Sequence, residues 1–355
     1  MNWLEYLGQQ LDSQSEVRVY TMEASADYHK YEPAVQFIKV IRLGNSNGKK
    51  GIFRYANYLF FYSSVIVKLS GWRPKMVMYY ETLSALPAIF YKRLIKKDSR
   101  LFIHYHEYTS LQEYRTGMVL NRWEHVIEKK TYHLADLISH TNPDRIRLFK
   151  QDNEDVALPK TYVLPNYPPR NWGNISSQNV TTPVVKFVYI GSLSFETMYL
   201  REFSEWIIKQ NGRATWDIYS GNIAQDAKKY LQSVPAHLVQ FHDGKDYFLL
   251  PQILQKYTVG VILYKGHIPN FIYNAPNKLF EYWACGLDVW FPEKMTSSLP
   301  YATKGYYPRI IPVDFEKLES CNLTNMIAHQ GLAYKPSDYF CEQEFEGFLR
   351  RCIAG

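Results

Sequence analysis

The chain has 355 residues, 46% of them hydrophobic and 21% charged, with a formal net charge of +7. That is enough for two domains of ordinary size, each with its own core, and it excludes both a small single binding module and a disordered chain. The start, MNWLEYLGQQLDSQ, has neither a basic n-region nor an uninterrupted apolar core, so no secretory signal is read and a cytoplasmic location is expected.

Short runs rich in β-branched and aromatic residues alternate with longer amphipathic stretches, the pattern of βα units around a parallel sheet. Met1 to Leu11 reads as a helix. Strands are then expected at Val17 to Thr21, Gln36 to Leu43, Met76 to Tyr80, Leu101 to Tyr105, Leu137 to His140 and Tyr162 to Leu164. Helices are expected at Ile52 to Leu69, Leu83 to Lys96, Met118 to His133 and Pro143 to Lys150, which makes one Rossmann-like domain over 1–168. The run PNYPPRNWGNISSQNVTTP has no periodicity and reads as a linker, over 169–183. The alternation restarts with strands at Lys186 to Ile190, Thr215 to Tyr219, Val239 to Phe241, Val259 to Tyr264, Asp288 to Phe291 and Arg309 to Val313, a second Rossmann-like domain over 184–335. The close, 336–355, reads as a helix capped by Ser337, with Cys341, Phe345, Phe348 and Cys352 on one face. That face packs either on its own domain or back on the first.

The most apolar stretch, Tyr55 to Leu69, carries Asn57 and Lys68 and falls short of the ~20 apolar residues of a spanning helix. Bases crowd the N-terminal half from Lys39 to Arg100, Lys49 and Lys50 among them, with few acids beside them. Solvated lysines, peripheral contact with an anionic membrane surface and nucleic acid are the three readings. Nucleic acid ranks last, for no zinc finger or RNP-like signature accompanies the bases. Cys285, Cys321, Cys341 and Cys352 form no CxxC pair and read as free thiols rather than a metal site. The sequons at Asn174, Asn179 and Asn322 are chance patterns in a chain read without a signal, and the acids from Asp152 to Asp155 read as a solvated loop.

NAPNKLFEYWACGLDVWF, Asn274 to Phe291, is the most informative segment. Pro276 suits a first helical position, Leu279, Phe280 and Trp283 an apolar face, and Gly286 a helix end. Lys278 and Glu281, three apart, share one side of the helix N-terminus. A cation beside free N–H groups suits a diphosphate, and a carboxylate one turn on suits a ribose diol. On the residues alone, an ordinary surface ion pair is the simpler reading.

This stretch resembles the P-x-K-x-x-E-Y-x-A-x-G motif of the family-4-like retaining glycosyltransferases, a bacterial polysaccharide and glycoconjugate type. YIGSL at Tyr189 to Leu193, ADLISHTNPDR at Ala135 to Arg145, VLPNYP at Val163 to Pro168 and HDGKDYF at His242 to Phe248 resemble further parts of that family in the same order. The resemblance implies an α/β GT-B fold, two Rossmann-like domains facing each other across a cleft. It also implies transfer from a nucleoside-diphosphate sugar, of UDP or GDP type, with no cofactor and no metal. The donor residues it implies are Gly191, Ser192, Ser220, Gly221, Tyr264, Asn277, Lys278 and Glu281, with Glu281 on the ribose hydroxyls. His106, after strand LFIHY, would hydrogen-bond the sugar or leaving group, and Glu81 is an acceptor-side candidate. Histidine as a structural strand end and glycine as plain turn chemistry stand beside these roles.

Two departures stand out. Tyr273 occupies the position of a second family glutamate, and Ser192 and Met198 that of a basic pair, which Lys278 and Arg201 would have to replace. The leading expectation is sugar transfer to a glycan or lipid-linked acceptor in cell-surface polysaccharide biosynthesis. A catalytically silent GT-B protein and a GT-B-fold sugar epimerase are the alternatives. The family's first strand and glycine loop have no counterpart before Val17, so an additional strand is expected in the middle of the first sheet, from residues ahead of Met1 or from another segment.

Overall fold

The structure, a computed structural model, describes residues 1–23, 31–45, 51–174, 184–327 and 331–354. Asn179, Lys49, Lys50 and most of the expected linker lie outside the described residues. The chain divides into two compact units, residues 1–165 with 343–355, and residues 166–342.

The first unit opens with helix α1 (Asn2–Gln10) and two parallel strands, β1 (Val17–Glu23) and β2 (Ile38–Asn45). Helix α2 (Ile52–Trp72) leads to β3 (Met76–Tyr80), and α3 (Ala85–Phe90) to β4 (Arg100–Tyr105). α4 (Leu111–Thr116) and α5 (Val119–Lys129) precede β5 (Leu137–His140); α6 (Pro143–Asp152) precedes β6 (Lys160–Val163). Ser110 and Glu113 close a capping box on α4, and Asn142 caps α6 ahead of Pro143. The expected single helix from Leu83 to Lys96 is instead a 3-10 turn, α3 and a π turn at Tyr91–Ile95, with Pro87 lying inside α3.

The strands of this unit fall into two sheets, β1-β2 and β3-β4-β5-β6, all parallel. In a doubly wound order the strand between β1 and β3 would be the first, and the break lies at that position. Helix α2 bridges it: Tyr20, Met22 and Leu43 from one sheet and Val77 from the other pack on its Phe61, Tyr62, Val65 and Leu69.

In the second unit, β7 (Val185–Ile190), α7 (Leu200–Lys209), β8 (Ala214–Ser220), α8 (Gln225–Ser233) and β9 (Val239–Asp243) form the first half. The second half is α9 (Leu250–Leu254), β10 (Val259–Val261), α10 (Pro269–Ile272), α11 (Asn277–Ala284), β11 (Asp288–Pro292) and a short β12 (Tyr306–Tyr307). It ends with β13 (Ile310–Val313), α12 (Leu323–Ile327) and β14 (Ala333–Tyr334), which pairs with β12. The main sheet runs β13-β11-β10-β7-β8-β9. Counted from β7, that is the 3-2-1-4-5-6 order of dinucleotide-binding folds, with its switch point between β7 and β10. Phe187, Phe203, Trp216 and Trp290 are fully buried on one face, meeting edge to face at 4.9–5.3 Å. Burying each such ring stabilises by roughly 2–3 kcal/mol.

The last helix, α13 (Cys341–Ala354), begins four residues after Ser337, whose hydroxyl accepts from Tyr339 N–H instead of capping it. Phe345 and Phe348 meet Trp3 at 5.0 and 5.5 Å, Phe348 also meets Phe102, and Arg100 donates to the Cys352 carbonyl at 2.6 Å. The apolar face read from the sequence is thus buried on the first unit. Among the described residues no helix is long and apolar enough to cross a membrane.

Candidate functional site

Open parallel sheets bind ligands outside the carboxyl ends of their strands, at the switch point. In the second unit this is where β7 ends in Gly191 and β10 runs on to Tyr264. Lys278, in the first turn of α11, is there too. Its Nζ hydrogen-bonds Tyr264 Oη at 3.3 Å and lies 5.7 and 5.6 Å from the ring centres of Tyr189 and Tyr264. Gly191 has φ +145°, and a Cβ there would stand 2.7 Å from Lys278 Cε and 2.9 Å from Nζ. Only glycine gives the lysine that room without strain.

Two further contacts fix α11. The Tyr282 hydroxyl accepts the Ile190 N–H at 3.0 Å, tying the helix to the end of β7. Its ring packs against Gly260, where a Cβ would come within 2.1 Å of it. Neither residue is among the sequence candidates; the lone glycine inside the run TVGVIL is the signal for such a close approach.

Glu281, one turn beyond Lys278, is 8% exposed. Burial pushes its carboxyl up to about 7, against the pull of Lys278 and a hydrogen bond from Tyr247. Burial works against the Lys278 charge as well, but Tyr264 and Glu281 favour it and the net direction is upward. A cation and a buried carboxyl thus lie one turn apart near the N-terminus of α11. Pro276 is the cap of that helix rather than its first residue, which is Asn277, exposed at the mouth of the turn.

The remaining donor candidates sort differently. The Gly191 amide is already taken, donating to the Tyr219 carbonyl at 3.0 Å, so it is not open to a phosphate. No helix follows directly either: α7 begins at Leu200, because Leu193 and Met198 first make bridges to Ile223 and Tyr264. Ser192 is exposed, its carbonyl accepting from Tyr189 Oη at 2.7 Å. Ser220 is buried and turns its hydroxyl onto Asn222. Gly221 and Gly244 bring the loops after β8 and β9 together, a Cβ on the latter standing 3.0 Å from Gly221 N. Arg201 lies over the Phe195 and Tyr230 rings at 5.1 and 4.9 Å. Asp217 gathers His242 at 3.1 Å and Tyr257 at 2.7 Å, a cluster the sequence candidates omit.

In the first unit His106 and Glu81 come together at the ends of β4 and β3. The Glu81 carboxylate accepts the His106 and Glu107 amides at 2.6 and 3.1 Å. Its own backbone sits at φ +61°, a left-handed conformation rare outside glycine. Burial pushes its carboxyl up to about 7, the two amides pulling the other way. The His106 ring is exposed, stacked on Tyr80 at 5.6 Å and edge-on to His104 at 4.6 Å. His104 beneath is buried, bonded to Ser139, and held well below its ordinary value by burial and by His106, His140 and Arg145. The acids near Asp152 are engaged rather than free: Tyr108 bonds Asp152, and Lys129 pairs with Asp155 at 2.7 Å.

No family model and no curated protein matches the sequence. Solved structures do resemble the fold. OtsA superimposes with a TM-score of 0.68 at 10% identity, over 99% of this chain and 94% of that one. The lipopolysaccharide outer core galactosyltransferase WaaB gives 0.57 at 13%, over 90% and 85%. Anabaena HepE, solved with UDP and glucose, gives 0.59 at 11%, over 88% and 89%. The similar structures are mainly glycosyltransferases, and one described as a UDP-N-acetylglucosamine 2-epimerase from Listeria monocytogenes is among them. The chain therefore has the α/β fold of the GT-B glycosyltransferases, built from two Rossmann-like units.

Proposed function

We propose that the chain transfers a sugar from a nucleoside-diphosphate sugar to a glycan or lipid-linked acceptor. The observation that carries this is Lys278 held against Gly191 and Tyr264 at the switch point of the second unit, with Glu281 one turn on. A lysine and the exposed first turn of α11 supply positive charge where a diphosphate leaves, and so stabilise the charge that develops on it. Glu281, ionised, accepts from the ribose hydroxyls. Tyr264 and Asn277 border the same turn and take part in donor binding, as do the loop backbones at Ser192, Ser220 and Gly221. Charge on the diphosphate is met by these groups and no metal is invoked.

In the first unit His106 is the candidate for contact with the reacting sugar or acceptor, with Glu81 positioning it through the two amides. UDP is the first donor to try, since HepE was solved with UDP and glucose. Incubating the protein with a panel of UDP- and GDP-sugars and following release of the nucleoside diphosphate tests the reading. Donor hydrolysis or transfer supports it. Tight donor binding without turnover, or epimer formation, replaces it with one of the two alternatives.

A further inference from the structure

Helix α5 carries its polarity inverted. Glu124, His125 and Glu128 point inward, where Tyr62 bonds Glu124, and Tyr79, Tyr105 and Thr82 bond Glu128. Its outward stripe is Val119, Trp123 and Val126, each about half exposed, with Arg122 and Lys130 exposed alongside. An ordinary surface helix does the opposite.

Helix α2 repeats the feature. One side packs Phe61, Tyr62, Val65 and Leu69 into the unit. The other side presents Ile52, Leu59, Phe60 and Val67, between 54% and 77% exposed. Their spacing of seven, one and seven, with Ala56 and Ser63 between, makes a single stripe without a charged residue. It runs about 22 Å along the helix. The two helices are neighbours, since Tyr62 of α2 bonds Glu124 of α5, and α3 between them adds exposed Phe90 and, one turn later, Leu94. Exposed apolar residues gathered on three neighbouring helices suit an interaction face better than scattered single exposures do.

The surrounding charge identifies the partner. Residues 52–97 hold eight Lys and Arg against the single acid Glu81, whose carboxylate is occupied by two amides. Arg54, Lys68, Arg93 and Lys97 are exposed. A second copy of the chain is a poor occupant, because a two-fold contact sets this basic patch against itself. Phosphate headgroups satisfy the bases, acyl chains the stripe, and tryptophan the boundary between them.

We propose that the α2–α5 face of the first unit docks on an anionic lipid surface. The apolar stripes enter the acyl boundary and the bases take lipid phosphates, and no helix crosses. This does not depend on the donor site, so the two stand or fall separately.

The test is sedimentation of the full chain with vesicles of phosphatidylcholine alone and with phosphatidylglycerol added. Leu59→Asp combined with Trp123→Ser touches only exposed positions and interrupts both stripes while keeping every base. Binding to the anionic vesicles, weakened by salt and lowered at least about tenfold by the double variant at unchanged melting temperature, is the expected result. Absence of binding to anionic vesicles overturns the proposal, as does equal binding by the variant. A dimer in analytical ultracentrifugation that the variant converts to monomer overturns it too, assigning the face to a second copy.

Discussion

Lys278 Nζ lies 2.9 Å from the point that a Cβ on residue 191 would occupy, so the two residues share one space. Gly191→Ala should push the lysine off the switch point and strain a backbone at φ +145°. Lys278→Ala removes the charge while keeping the turn. Charge-assisted hydrogen bonds contribute about 1.5–3 kcal/mol each, so donor affinity should fall roughly 10- to 100-fold in the lysine variant. Isothermal titration with UDP and GDP reads it. Unchanged affinity in both variants would put the diphosphate elsewhere.

Glu281, held at about 7 by burial, makes donor binding depend on pH. The ionised carboxylate accepts from a diol better than the neutral acid, so affinity should rise as pH climbs through about 7 and level off above it. Glu281→Gln should bind more weakly at high pH and show a flatter profile. Parallel profiles for the two proteins would remove Glu281 from the ribose.

His106→Ala should lower kcat by about 10- to 100-fold with little change in donor affinity, if the ring touches the reacting groups. Glu81→Ala should do the same indirectly, by freeing the His106 and Glu107 amides. A fall in melting temperature that accounts for the loss of activity would make His106 a structural strand end.

Glu128 couples folding of the first unit to pH. Its ordinary value is 4.5, and burial lifts it to about 7 although Tyr105, Tyr79, Thr82 and Tyr132 hydrogen-bond it. A raised carboxyl favours the folded state most below about 4.5, where both states hold the proton. Between about 4.5 and 7 only the unfolded chain ionises, and the advantage, on the order of 3 kcal/mol, is lost. Glu124, shifted the same way, adds to the slope. Denaturant melts should therefore show stability falling across that window. Glu128→Gln should reduce the fall, and an unchanged slope would exclude Glu128 as its source.

Both sets of parallel strands are legible in the sequence because buried parallel strands are continuous apolar runs, as in LFIHY and VKFVYI. The Lys278–Glu281 pair is legible because both lie within one turn of a helix. What escapes is whatever depends on packing between distant segments. The hydrogen bond from Ile190 N–H to Tyr282, the close contact of that ring with Gly260, and the Asp217 cluster each join residues 22 to 92 positions apart. The inverted helix α5 misleads for the same reason, since its inward acids look like a solvent face until Tyr79 and Tyr105 are set against them. Among the described residues β1-β2 and β3-β4-β5-β6 are separate sheets, a division that no single run of residues announces.

The central claim is that the switch point of the second unit binds a nucleoside diphosphate through Lys278. Thermal melting of the wild-type chain and of Lys278→Ala with UDP, GDP, ADP and dTDP tests it most directly. At least one nucleotide should raise the wild-type melting temperature progressively with concentration, through binding to the folded state alone, and the variant should need roughly 10- to 100-fold more of it for the same rise. No rise with any of the four, or an equal rise in the variant, would contradict the account.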